Sequence, residues 1–94
     1  MNNLDISPKV REKLSRKHAV TRREVEQCFE NREGKLLMDT RAHTKTTPPT
    51  LWFLSCTHDG RLLKVVYIQT ENKINLKSCF EPDEVEIGIY KRHG

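Results

Sequence analysis

The chain has 94 residues, room for one domain, since domains usually run to roughly 100–150 residues. Hydrophobic residues make up 35% and charged residues 32%. The apolar ones cluster, which argues against wholesale disorder, and no apolar run nears the ~18–20 residues of a membrane span. Seventeen Lys and Arg against thirteen Asp and Glu leave a net charge of +4, unevenly spread. Residues 9–23 hold seven bases and one acid, Glu12, whereas residues 81–86 hold four acids and no base. That asymmetry points to a polyanion-binding surface at one end of the molecule, with a solvated charged helix face as the plainer alternative. The opening Met-Asn-Asn-Leu-Asp has no basic and apolar leader, so a cytoplasmic protein is expected.

Ser7-Pro8 reads as an N-cap followed by proline at the first helical position, where its missing N–H costs nothing. Val10, Leu14 and His18 then fall at four-residue spacing, a narrow apolar stripe on a basic helix. A second helix starts at a capping box of Thr21 and Glu24, with Val20 and Val25 placed as its hydrophobic staple. Its buried face is Val25, Cys28 and Phe29, and residues 31–34 end it. From residue 35 the periodicity changes. Residues 35–40 read as a short strand and 41–49 as a polar loop. Residues 51–57 and 61–70 are strands joined across His58-Asp59-Gly60, where Asp-Gly is a strong hairpin signal. Glu71-Asn72 is the next turn, and 73–80 the fourth strand. Beyond Pro82, Asp83 and Glu86 stand at capping-box spacing, while residues 85–90 also alternate as a strand would.

The fold expected is α+β, with two N-terminal helices packed on one face of a four-stranded antiparallel sheet, Trp52 and Tyr67 buried between them, and a short C-terminal helix. Two-residue loops at Asp59-Gly60 and Glu71-Asn72 set Ser55 opposite Lys64 and Val66 opposite Lys77. One face then carries Trp52, Leu54, Cys56, Leu63, Val65, Tyr67, Ile74, Leu76 and Phe80. The other gathers Lys64 and Lys77 with Phe53, Ser55 and Asn75, a cationic face suited to phosphate and a stacked base. A change of one residue in loop length flips a strand and breaks up this cluster. Cys28, Cys56 and Cys79 form no CxxC pair, and His18, His43, His58 and His93 are scattered. Three small buried or half-buried thiols are therefore expected rather than a disulfide framework or a metal site.

Several stretches resemble a known family. Lys17-His18, then Val20-Thr21, Glu24-Val25 and Cys28-Phe29, are similar to the opening of BrnT-like toxins, relatives of the RelE/ParE toxin superfamily. Gly60-Arg61-Leu62-Leu63-Lys64-Val65-Val66-Tyr67 is similar to their Gly-Arg strand, and Ser78, Glu86 and Tyr90 fall where their closing segment does. The resemblance spans roughly residues 14–90. It implies a RelE-like fold and a small metal-independent endoribonuclease that uses the RNA 2′-OH and is neutralised by an antitoxin. Position by position the resemblance carries over Lys17, His18, Arg61 and Ser78; joined with the cationic sheet face of the assumed register, it gives a candidate catalytic set of Arg61, Lys64, Lys77 and His18, with Lys17, Phe53, Ser55, Asn75 and Ser78 on the RNA. The family's closing arginine falls at Phe80 here, which leaves Lys77 to replace it. No cofactor or metal is expected; the partners are RNA and an antitoxin, with no membrane and with self-association left open. An ADP-ribosyl hydrolase activity is not expected, because the chain has no acidic metal cluster. Two other readings stay open: a non-catalytic RNA-binding or regulatory module, and a protein-interaction domain whose landing patch is Phe53, Val66 and Ile68.

Overall fold

The computed structural model describes residues 1–38 and 48–93. Ser7 caps the first helix as its place before Pro8 requires: its hydroxyl accepts from the Val10 amide at 3.3 Å, and α1 (Pro8–Lys13) follows. The helix then widens over Leu14–His18 into a π-helical turn and stops at Ala19, whose φ of 51° lies in the left-handed region. Wide turns of this kind are rare and concentrate at functional sites. The capping box opens α2 (Arg22–Glu30). The Glu24 amide donates to the Thr21 hydroxyl at 3.2 Å, and the Thr21 amide donates to the Glu24 carboxylate at 3.0 Å. Val20 and Val25, the staple, are both buried.

The sheet has five strands, not four, and is mixed. β1 (Leu4–Asp5), β2 (Leu37–Met38), β3 (Thr50–Cys56), β4 (Leu62–Gln69) and β5 (Ile74–Phe80) lie in the order β1-β5-β4-β3-β2. β1 runs parallel to β5, and the other neighbours are antiparallel. A two-residue pairing offers too little alternation to be read from sequence, yet Leu4 and Ile6 beside it are both buried. The short second strand is confined to Leu37–Met38 among the described residues, and most of the expected loop at 41–49 lies outside them.

Both hairpins depart from the expected register. The Thr57 amide bonds the Arg61 carbonyl at 2.9 Å, so the first loop is the three residues His58-Asp59-Gly60, with Gly60 at φ 84°. This is the three-residue hairpin with a left-handed glycine, one residue longer than a two-residue turn. Ser55 accordingly pairs with Leu63, and Leu54 with Lys64. Glu71-Asn72 does turn the second hairpin, since the Thr70 amide bonds the Lys73 carbonyl at 2.9 Å. A bulge beyond Tyr67, however, sets Val66 opposite Ser78 and leaves Lys77 unpaired.

These two shifts re-sort the faces. Phe53 and Ser55 join Leu63, Val65, Tyr67, Leu76 and Cys79 on the face covered by the N-terminal helices, with α2 over β3 and β4 and the first helix and its π-helical turn over β5. Phe29 of α2 packs edge-on against Phe53 and Tyr67, with ring centroids 5.0 and 5.3 Å away. Trp52, Leu54, Lys64, Val66 and Phe80 take the opposite face, so Trp52 is buried but not beneath the N-terminal helices.

That second face is covered by α3 (Glu84–His93). Its start is fixed by a reciprocal cap, the Glu86 amide donating to Asp83 Oδ1 at 2.8 Å and the Asp83 amide to Glu86 Oε1 at 3.0 Å. Tyr90 lies against Trp52 at 5.8 Å between centroids, and its phenol end packs on Gly34, where any side chain would collide with it. No helix among the described residues is long and apolar enough to cross a membrane. Cys28, Cys56 and Cys79 are all free; Cys28 and Cys79 are buried, but Cys56 is exposed rather than half-buried, because it ends β3.

Candidate nucleic-acid interface

The nine residues nominated from sequence do not form one surface. Phe53 is fully buried, and Ser55 is buried with its hydroxyl lacking a hydrogen-bond partner among the described residues. Both face the core because the longer first loop turns their strand over. Asn75 is spent on the second hairpin, donating to the Thr70 hydroxyl at 3.1 Å and the Ile68 carbonyl at 3.4 Å. Ser78 is half-buried opposite Val66.

Lys64 is only 8% exposed. Its ammonium donates to Glu86 Oε2 at 2.5 Å and sits 4.6 Å from the Trp52 ring centroid and 5.6 Å from that of Phe80. Arg61 stands at the mouth of the first hairpin. Its guanidinium donates to the Ala19 carbonyl at 2.8 Å, the His18 carbonyl at 3.0 Å and Glu24 Oε2 at 3.0 Å, and pairs with Glu81 at 3.5 Å. Neither cation is presented to solvent as a phosphate holder would be.

What remains together is a smaller group over β5. Lys77 is the exposed bulge residue, and its carbonyl accepts from Lys13 Nζ at 3.5 Å. Lys17 is exposed at the end of the π-helical turn, and the half-buried His18 ring lies 5.4 Å from that of Phe80. Burial, then the charges of Lys13 and Lys17, hold the His18 imidazole below its ordinary 6.5. Both effects favour the neutral form of the ring. Lys13 and Phe80 are the members that sequence reasoning missed. The signal for Lys13 was its four-residue spacing from Lys17, which puts two ammonium groups on one side of a helix. Nearby Arg16 is already engaged by Glu12 at 2.6 Å.

Among the described residues no three His, Cys, Asp or Glu side chains converge to hold a metal ion. A groove of about 710 Å³ opens between residues 30–34, the end of β3 and α3, and of the nominated residues only Ser55 lines it. No protein-family model and no curated protein matches the chain.

The depressed His18 pKa carries a stability consequence. The unfolded chain takes up this proton first on acidification, so the stabilisation is complete above about pH 6.5 and is lost as pH falls through the folded-state value. Two carboxylates act in the same direction at lower pH. Burial pushes Glu24 up, but the Thr21 amide and Arg61 outweigh it, and the N-terminal amine above all lowers Glu26. The unfolding temperature is expected to fall between pH 7 and pH 5, and His18→Gln to flatten that fall. An unaltered slope in His18→Gln would mean that the imidazole is not desolvated.

Proposed function

We propose that the protein acts on RNA in the manner of the BrnT-like toxins it resembles, holding phosphates on the cations over β5 and using His18 as the proton acceptor. The observation that supports this reading is the place of His18, a half-buried imidazole against the Phe80 ring, where burial and then the Lys13 and Lys17 charges favour its neutral form. A neutral imidazole can remove the 2′-OH proton, the 2′-oxygen can then attack the adjacent phosphorus, and the bond to the 5′-oxygen breaks. The products are a 2′,3′-cyclic phosphate and a 5′-OH. Ammonium groups held nearby favour the charge that builds on the phosphoryl oxygens, and one can return a proton to the leaving oxygen. The overall charge of +4 suits an acidic antitoxin as the neutralising partner.

The test is incubation of the protein with end-labelled single-stranded RNA in the presence of a chelator, alongside the same strand in 2′-deoxy form. The RNA is expected to be cut and the 2′-deoxy strand to be bound intact. The double variant Lys13→Ala, Lys17→Ala is expected to bind less tightly. Its dependence of log affinity on log salt should be shallower by roughly 0.7 for each phosphate that the two lysines no longer neutralise. Absence of salt-sensitive RNA binding would overturn the reading. Salt-sensitive binding without cleavage would favour the second one, a non-catalytic RNA-binding module. A specific observation supports that alternative: Arg61 and Lys64 are both engaged by carboxylates within the fold.

A further inference from the structure

The π-helical turn that carries His18 is an unfavourable piece of backbone with an unusual clamp. It closes through a hydrogen bond from the Val20 amide to the Leu14 carbonyl at 3.0 Å and ends on a left-handed alanine, a conformation that costs a non-glycine residue roughly 1 kcal/mol. Its last carbonyls, like those of any helix end, lack partners within the helix and carry the negative end of the helix dipole. One guanidinium satisfies two of them. Arg61 donates from Nη2 to the His18 carbonyl and from Nη1 to the Ala19 carbonyl, while Glu24 holds Nη1 from the first turn of α2. The backbone of Arg61 is fixed in turn, its amide donating to the Thr57 hydroxyl at 3.1 Å and its carbonyl accepting from the Thr57 amide at 2.9 Å. The clamp thus ties the corner between the two N-terminal helices to the β3–β4 hairpin.

We propose that Arg61 is a positioning residue for His18: it holds the end of the π-helical turn so that the imidazole stays against Phe80 and beside Lys13 and Lys17. This rests on the RNA-acting reading, and it gives Arg61 a role through the backbone rather than on phosphate. Arginine is needed because its planar fork serves two carbonyls and a carboxylate together, which a single lysine ammonium does not.

The experiment compares the parent with Arg61→Lys by two readouts. The first is the nuclear Overhauser contact between the His18 and Phe80 rings in the free protein, together with the ring-current shift of the imidazole protons. The second is single-turnover cleavage of single-stranded RNA at saturating protein, with RNA affinity measured separately. Arg61→Lys is expected to break the ring–ring proximity and to slow cleavage by roughly 10²-fold, the scale of a ~1 Å displacement, while RNA affinity stays within about twofold. Rings that stay together would overturn the proposal. So would a fall in RNA affinity at an unchanged cleavage rate, which would make Arg61 a phosphate contact. If Arg61→Lys does not fold, Glu24→Gln removes the charge that anchors the clamp, and its ring–ring signal decides: weakened supports the proposal, unchanged overturns it. If the parent itself does not cut RNA, the reading of function falls while the ring–ring signal still decides the positioning role.

Discussion

Phe53→Ala is expected to lower the unfolding free energy by about 3–5 kcal/mol, the usual cost of removing a buried phenylalanine. Among the described residues Phe53 is the largest fully buried side chain, set against Phe29 at 5.0 Å and Tyr67 at 6.1 Å between ring centroids. Alanine removes its buried area and two edge-on aromatic contacts, each worth roughly 0.5–1.5 kcal/mol beyond burial. For a domain of this size the loss is a large share of a total near 5–10 kcal/mol. Urea unfolding followed through the single tryptophan, Trp52, reads the effect as a lower midpoint with an unchanged slope. A loss below about 1 kcal/mol would mean that β3 presents the opposite side to α2, the side a two-residue loop at Asp59-Gly60 dictates.

That contrast marks where the sequence is readable and where it is not. Ser7-Pro8, the Thr21–Glu24 box and the Asp83–Glu86 box were legible because a cap is a contact over three residues, fixed by local chemistry alone. Strand faces were not. An Asp-Gly pair announces a hairpin but does not say whether two or three residues form its loop, and one residue reverses every side chain. The bulge that frees Lys77 has no composition signal of its own, and β1 is too short for one. The candidate site shows the same division. Lys17 and His18, neighbours in the chain, stayed together, whereas Lys64 and Lys77 were joined by a register the fold does not adopt. Arg61 was legible as an important residue but not as a clamp, since its partners at 18, 19 and 24 lie about forty residues upstream.

Glu86→Ala is expected to destabilise the protein by about 3 kcal/mol or more, because it leaves the Lys64 ammonium buried without its carboxylate and removes the Glu86 half of the cap on α3. Lys64→Met is expected to cost clearly less than Glu86→Ala, since an apolar chain of similar length fits beside Trp52 and Phe80 and leaves no cation buried. Glu86 is the more exposed partner, so its own carboxylate can be hydrated once Lys64 is gone. The asymmetry follows from burial: removing the acid strands a buried cation, and removing the cation strands an acid at the rim. Thermal unfolding of the two variants and of the double variant measures the coupling directly. RNA affinity separates this structural role from a phosphate contact. Lys64→Met should bind RNA as the parent does at every salt concentration, whereas a phosphate-holding lysine would make the salt dependence shallower when removed. A loss of RNA affinity in Lys64→Met with stability retained would require Lys64 to reach solvent past α3, and the ion pair to Glu86 would then be a closed state that RNA must open.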